Sequence, residues 1–391
     1  MEALEPVGIE VAPLSAAVGR VLGRDLCARR ALPPFDNSAM DGYGVRAEDT
    51  VGASAATPAR LRVVGEVSAG ATFSAALEPG DAVRIFTGAP TPAGIDAVVI
   101  QEKTRTDGDT VLIDAPASAQ QNIRRCGEDM SAGEVILRRG TRLRPGDIGA
   151  IASQGYSWLH VHRRPTVAIL PTGDELVEID APLEPGKIVN SNSALLAAQV
   201  SAAGGIPVRL PPAPDDPDAL RDALRAAARG SDLIMSCGGV SVGAHDHVRD
   251  VLQELGHTDF WKVAIKPGKP LAFGHVLDVP LLGLPGNPVS AFVVFELFGQ
   301  PALARLSGAG DWRHRSVQLP LAESLQPNAK RRELVRARLE QTPEALRVRP
   351  HRERGSGQQS SLLAVQALID IPPSESALPA GTPVRTLLLN G

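Results

Sequence analysis

With 391 residues, 43% of them hydrophobic and 21% charged, the chain is too long for a single core, which rarely grows beyond roughly 250–300 residues, and too apolar to be disordered. Its formal charge of −4 supplies no general attraction for nucleic acid, which is excluded as a partner, so any anion must be held by local groups. The three cysteines, Cys27, Cys126 and Cys237, are odd in number and lack CxxC spacing, which excludes a disulfide framework or structural zinc site; with no leader pattern and no run near the ~20 apolar residues of a membrane span, a cytoplasmic chain is expected.

In chain order, Pro13 to Val21 carries a short helical pattern that breaks at Pro33-Pro34, so residues 1–40 read as an extended segment that must find its burial elsewhere. Short runs rich in Val, Ile and Thr follow at Leu61–Val67, Ala82–Phe86, Ala97–Ile100 and Val111–Ile113, and Asp107-Gly108 is a hairpin signal, so this stretch predicts a small β domain. From 166 to 305 apolar strands alternate with helices: strands Thr166–Leu170, Ile206–Leu210, Leu233–Cys237 and Leu281–Leu284, helices Ser193–Ala203, Asp218–Arg229, His247–Leu255 and Val289–Leu297. That alternation predicts an α/β domain with a parallel sheet covered on both faces and ligands at the carboxyl ends of its strands. Beyond about 312 the runs Ser316–Leu321, Glu333–Leu339, Leu346–Pro350, Ala367–Ile371 and Pro383–Leu389 predict a separate β domain.

Three turns fall at the strand ends of the α/β domain. Cys237-Gly-Gly-Val-Ser-Val-Gly243 lies between a strand and a helix carrying Asp246; it reads either as a tight connection or as an anion cradle, with Gly238, Gly239, Ser241 and Gly243 letting backbone approach a ligand beside a helix N-terminus. Trp261-Lys-Val-Ala-Ile-Lys-Pro-Gly-Lys-Pro270 sets Lys262, Lys266 and Lys269 close together, and Lys262 and Lys266 share a side if the segment is one strand; the alternative is a solvated basic turn. In Leu284-Pro-Gly-Asn-Pro-Val-Ser290, Asn287 reads as an N-cap and Pro288 as the first helical residue, and the turn would line the same pocket. Glu175 in Pro171-Thr-Gly-Asp-Glu-Leu176 ends the first strand of this domain, and carboxylates gathered near a polyphosphate would bind Mg²⁺. The histidine pairs His160/His162 and His245/His247 fit no zinc pattern and read as surface residues.

The motifs PPFDNSAMDGYGVR (33–46), RIFTGAPTPAGIDAVVIQE (84–102), GEDM (127–130), PTGDEL (171–176), CGGVSVGAHD (237–246), WKVAIKPGKPLAFG (261–274) and LPGNPVSAF (284–292) occur in one order. Together they resemble the MoeA family, which includes the E domains of gephyrin and of its plant counterpart. The resemblance implies a multidomain α/β plus β architecture: an extended segment from 1–44 and 121–163, an inserted β domain over 45–120, a MogA-like α/β domain over 164–308 and a C-terminal β barrel over 309–391. It implies insertion of molybdate into adenylylated molybdopterin, with Mg²⁺ as helper ion and release of AMP, in a homodimer whose active site lies at the subunit interface. A MogA/MoaB-type adenylyltransferase upstream and cofactor-processing proteins downstream would be its other partners.

Carried over by motif, Asp41, Thr87 and Asp129 from one subunit would face Glu175, Asp215, Asp246, Lys262 and Lys266 of the other, with Glu175 and Asp246 toward Mg²⁺. Pro285, Pro288 and Ser290 would shape the wall, and Arg336 and Ser360 would reach the substrate from the tail, where a solvated basic strand face is the alternative for Arg336 and Arg338. The chain departs from the pattern at Cys237, Ala244 and Pro171. Competing readings are a MogA-type adenylyltransferase, which would lack the extra β domains, a gephyrin-like scaffold and a molybdate storage module, from both of which AMP release separates the enzyme.

Overall fold

The apolar runs that alternate with helices are buried on both sides, as a sheet covered on both faces requires. In the computed structural model, which describes residues 4–238, 247–311 and 314–389 and leaves aside the side chains of 247–249 and 258–262, they form strands β1 (Thr166–Pro171), β2 (Ile206–Arg209) and β3 (Leu233–Cys237), with helices α1 (Ser191–Ala202) and α2 (Pro217–Ala228) between them. Helix α3 (His247–Leu255), β4 (Gly256–Lys262), β5 (Pro270–Val276), β6 (Val279–Leu284) and α4 (Pro288–Val294) follow. Val167 and Ile169 of β1 pack with Leu196 and Val200 of α1 and with Val294, whereas Ala168 and Leu170 pack with Leu220 and Leu224 of α2 and Val251 of α3. Successive side chains therefore serve opposite layers, the period-two rule applied to a strand with no wet face.

The sheet order is β2-β1-β3-β6-β5-β4. The four strands expected to form a parallel sheet, β2, β1, β3 and β6, do so, but β5 runs antiparallel to β6 and to β4, so the sheet as a whole is mixed. The cause is loop length: only Leu277 and Asp278 separate the paired residues Val276 and Val279, and two residues close a hairpin but cannot carry a crossover. Leu277 takes φ 54° and is exposed, a left-handed conformation that β-turn asparagine adopts more readily than leucine. Leu277→Asn is expected to raise stability by about 0.5–1 kcal/mol, read as a higher urea midpoint; a lower midpoint would show that the leucine contributes packing there.

The helix that starts at Pro288 runs further than the expected Leu297. A π-helical turn, Phe295–Gly299, joins α4 to a last α-helical stretch, Gln300–Leu306, and Gln300 N–H reaches back to Phe295 O immediately before Pro301, which has no N–H to donate. By length and composition this 19-residue helix could cross a membrane, but it is mostly buried, as suits a core helix packed against the sheet. The expected helix over Pro13 to Val21 shrinks to a 3-10 turn, Leu14–Ala16, because Ile9–Pro13 is used as a strand against Trp158–His162 and Gly19 has φ 78°. His162, expected at the surface, is 4% exposed and its Nδ1 lies 2.9 Å from Val7 O.

The tail sheet has the order Ile265–Lys266, Arg332–Gln341, Ala367–Ile371, Pro383–Leu388, Ser316–Pro320, with Leu346–Pro350 pairing Arg332–Gln341. A bridge between Leu321 and Val348 joins the end of Ser316–Pro320 to Leu346–Pro350, and Val335, Ala337, Ile369 and Val384 fill the interior. Lys262 ends β4, whereas Lys266 belongs to this tail sheet, so the single strand that would place both lysines on one side does not exist. The chain kinks between them where Val263 N–H bonds back to Lys269 O.

By its contacts the chain forms two compact units: Met1–Arg24, Arg139–Ile148 and Ser157–Gly391 make the one just described, and Asp25–Arg138 with Gly149–Tyr156 make the second. The second unit holds a six-stranded sheet of order Ala97–Ile100, Gly42–Val45, Asp81–Ile85, Ala59–Val67, Thr110–Ile113, Thr104–Asp107. The hairpin expected at Asp107-Gly108 is there, with Gly108 at φ 63°. Two short ladders, Asn37–Ser38 with Ile123–Arg124 and Leu26–Cys27 with Val135–Leu137, tie the extended pieces together.

Candidate functional site

The carboxyl ends of β1, β3 and β6 open on a cavity of about 380 Å³ lined by Thr172, Glu175, Asn190, Asn192, Cys237, Gly238, Gly286, Pro288 and Gln359, among others. This is where ligands meet parallel strands. Gly238 takes φ 100°, and a Cβ there would stand 2.5 Å from Thr172 O, so the close approach of the β1 and β3 ends requires glycine. Thr172 N–H donates to Cys237 O at 3.0 Å and Gly238 N–H to Leu284 O at 3.2 Å, which locks the three strand ends together.

Asn190 caps α1, its Oδ1 accepting from Ser193 N–H at 3.3 Å. Asn192 Nδ2 donates to Gly286 O at 2.6 Å and to Cys237 Sγ at 3.3 Å. Burial pushes the Cys237 thiol up to about 12, against a smaller lowering by Asn192, so it stays a thiol that donates to Pro285 O at 3.5 Å and is no nucleophile. Glu175 is exposed, and its carboxylate folds back over Gly173, where a Cβ would meet Oε2 at 2.5 Å. Among the described residues the Glu175 side chain makes no hydrogen bond or ion pair, and it is the single charged group of those lining the cavity.

Of the residues expected to converge, the structure brings Glu175, Gly238 and Pro288 to this cavity. Pro285 touches it through its carbonyl and the Cys237 thiol. Asn287 sits at the N-cap position before Pro288, but it does not cap; its Nδ2 donates to Ser356 Oγ at 3.2 Å. Ser290 is buried in α4 and Lys269 is exposed, both away from the lining. Lys266 Nζ stands 3.1 Å from the buried Glu333 carboxylate, which Arg354 also faces at 3.6 Å, so two cations share one carboxylate away from the cavity lining. Asp215 is exposed, and its N–H donates to Asp174 Oδ1 at 3.1 Å. Gly239, Ser241, Gly243 and Asp246 lie outside the described residues, as does the Lys262 side chain.

Arg336 is 2% exposed rather than part of a wet basic face. Its guanidinium donates to Glu353 O at 2.7 Å, its Nε has no partner, and burial lowers its pKa. Ser360 is exposed beside Gln359 in a short 3-10 turn. In the second unit Asp41 Oδ1 accepts from both the N–H and the hydroxyl of Thr87, each at 2.7 Å, and those bonds, the backbone one foremost, hold the Asp41 carboxyl below its ordinary range. Asp129 is exposed in a separate turn of that unit, where its N–H donates to Leu32 O at 3.0 Å.

The expectations missed Thr172, Asn190 and Asn192. Their signal is structural: Thr172 Oγ1, Asn190 Nδ2 and Asn192 Oδ1 are buried atoms without a hydrogen-bond partner, a rarity that calls for an explanation. Among the described residues no three His, Cys, Asp or Glu side chains gather to hold a metal ion.

Three family models match consecutive parts of the chain: the MoeA N-terminal region (domain I and II) over residues 1–155, a probable molybdopterin binding domain over 168–305 and the MoeA C-terminal region (domain IV) over 318–389. Molybdopterin molybdenumtransferase 2 of Mycobacterium tuberculosis is 40% identical over 98% of this chain and 95% of its own length. The molybdopterin molybdenumtransferase of a Nostoc species is 37% identical over 97% and 88%. The crystal structure of the molybdopterin biosynthesis moeA protein from Pyrococcus horikoshii superposes with a TM-score of 0.87 at 34% identity, covering 99% of this chain and 97% of that one. With three consecutive models and full-length relatives agreeing, this chain belongs to the MoeA family of molybdopterin molybdenumtransferases.

Proposed function

We propose that this chain inserts molybdate into adenylylated molybdopterin, cleaving the adenylate and releasing AMP. The coarser statement, that it is a molybdenum-inserting transferase of molybdenum cofactor biosynthesis, is supported by relatives of that name along its full length. The observation that carries the reading to residues is the strand-end cavity, whose one carboxylate among the described residues, Glu175, is unpaired and where Gly238 admits no side chain.

The chemistry joins metal insertion at the dithiolene to rupture of the phosphoanhydride between the pterin phosphate and AMP. Oxygen donors such as Glu175 and Asp246 suit Mg²⁺, which keeps most of its waters and needs only one or two carboxylates beside phosphate oxygens. When bound, Mg²⁺ would neutralise charge on those oxygens. Glu175 orients what binds at the cavity mouth, the glycine-rich sequence over 238–243 would hold the anion, and Lys269, which makes no ion pair among the described residues, would supply a cation for the leaving phosphate. Lys266 acts through Glu333 by fixing the junction between the α/β and tail sheets.

The finer architecture belongs to the same proposal: an extended segment over 1–44 and 121–163, a β domain over 45–120, a MogA-like α/β domain over 164–308 and a tail barrel over 309–391. So do the homodimer, in which Asp41, Thr87 and Asp129 of one subunit complete the site of the other, the adenylyltransferase and cofactor-processing partners, and a cytoplasmic place. The test is AMP release from adenylylated molybdopterin by the purified protein, with and without molybdate and Mg²⁺. Molybdate-dependent AMP release with cofactor formation is expected; a folded protein that yields neither product would overturn the assignment in favour of a scaffold.

A further inference from the structure

A second cavity, of about 840 Å³, lies at the far end of α1 and falls in the size range of small-ligand sites. The strand-end cavity meets Asn190 and Asn192 at the start of that 12-residue helix, and this one meets Ala202 and Ala203 at its finish, so roughly 18 Å of helix separates them. Every lining residue belongs to the first compact unit. Among the described residues four arginines, Arg139, Arg142, Arg144 and Arg315, line it against two aspartates, Asp147 and Asp311. Trp312 and Arg313, outside the described residues, bring no acid to that stretch of sequence.

Many arginines elsewhere in the chain are matched to acids: Arg62 to Asp81, Arg163 to Asp232, Arg221 to Glu254, Arg332 to Asp370 and Arg349 to Glu323. Arg142, Arg144 and Arg315 make no ion pair among the described residues. Asp147 is occupied, because its Oδ2 accepts from Arg144 N–H at 2.8 Å at the start of the helix Pro145–Ser153, the reach-back bond of a capping box. Arg142 opens to solvent through the cavity, yet the protein around it lowers its pKa by burial and no carboxylate offsets that. The end of α1 does not need these arginines either, since the Gly204 and Gly205 carbonyls already accept from Arg164 at 3.0 and 2.8 Å. Backbone bonds fix where the arginines start: Gly19 N–H to Leu143 O at 2.9 Å, Gly310 N–H to Gly140 O at 3.0 Å and Leu388 N–H to Arg315 O at 3.0 Å. Arg142 Nη1 itself donates to Gly19 O at 2.8 Å.

Unpaired cations gathered around one concavity raise the cost of one another's charge, and protein walls concentrate their field. We propose that this cavity binds a phosphate dianion, free or as the head of a small phosphate ester, through Arg142, Arg144 and Arg315. Guanidinium forks match phosphate oxygens two at a time. Ala202, Ala203 and Ala304 on the same lining give the uncharged body of an ester a small apolar wall. The site stands apart from the one proposed for metal insertion, and its occupancy does not depend on that activity.

The test is calorimetric binding of inorganic phosphate and of ribose 5-phosphate to the full chain at low ionic strength. Arg144→Gln and Arg315→Gln are the informative variants, because neither side chain makes a hydrogen bond or ion pair among the described residues, so an unchanged thermal midpoint is expected. Each is expected to weaken phosphate binding at least about tenfold, the scale of one lost charge-assisted contact. Glu175→Gln, at the other end of α1, is expected to leave it unchanged. Tighter binding of the ester than of the free ion assigns the site to phosphate esters that use the alanine wall; equal affinity assigns it to the ion. A wild type with no saturable binding of either probe overturns the proposal. So does binding that both arginine variants leave intact, and if Glu175→Gln alters that binding, the phosphate belongs to the strand-end cavity instead.

Discussion

Replacing Glu175 with glutamine is expected to slow molybdate-dependent AMP release by about 100-fold, the scale on which removal of one preorganised electrostatic group from a reacting centre is felt. The folded protein should not notice. The Glu175 carboxylate is exposed and unpaired, while its backbone is held independently by its carbonyl, which accepts from Ile188 N–H at 2.8 Å. Glutamine keeps length and shape and removes the charge, so a fall in kcat at an unchanged thermal midpoint isolates the carboxylate's role. A rise in KM with kcat unchanged would instead mean that Glu175 contributes uniform binding and no rate. Normal turnover would remove it from the machinery, and with it the placement of the reaction at this strand end.

Glu175 was legible in the sequence because a strand end in an α/β pattern has a fixed place in the fold. The apolar runs at Leu233–Cys237 and Ala367–Ile371 were legible for the same reason, since both are buried throughout and appear as strands with those bounds. What was hidden depends on pairing between distant segments. The direction of β5 follows from the two-residue turn at Leu277-Asp278, which carries no glycine or asparagine to announce it. The separation of Lys262 from Lys266 follows from Arg332–Gln341, about 70 residues further on, which takes Ile265–Lys266 into its own sheet. Gly42, inside the conspicuous SAMDGYG segment, is needed for spacing: a Cβ there would lie 2.0 Å from Val99 O in the neighbouring strand. A motif can therefore mix residues proposed for chemistry, such as Asp41, with residues needed for packing, and composition does not sort them. Thr172, Asn190 and Asn192 were invisible because ordinary cap and turn residues become informative only when one of their polar atoms is found buried and unanswered.

Glu296 is a buried carboxyl that the sequence did not single out, and it gives the second large expected effect. It lies in the π-helical turn, 9% exposed, and accepts from Gln199 Nε2 at 2.8 Å. Burial raises its pKa from 4.5 to about 7, against a smaller lowering by Gln199. The folded state thus binds this proton more tightly than the unfolded chain. Stability is fully present below the unfolded value near 4.5 and declines as pH rises through about 7, after which the cost is constant. Glutamine at 296 keeps the acceptor for Gln199 and never ionises. Glu296→Gln is therefore expected to leave stability unchanged at about pH 4.5 and to raise it at about pH 8 by on the order of 3 kcal/mol. Urea unfolding of both proteins at the two pH values measures this directly. The same helix begins at Pro288 in the cavity wall, so the substitution also tests whether the turn's ionisation reaches the site: unchanged turnover at about pH 8 confines Glu296 to stability, whereas altered turnover in a more stable protein ties the turn to the geometry of the strand-end cavity.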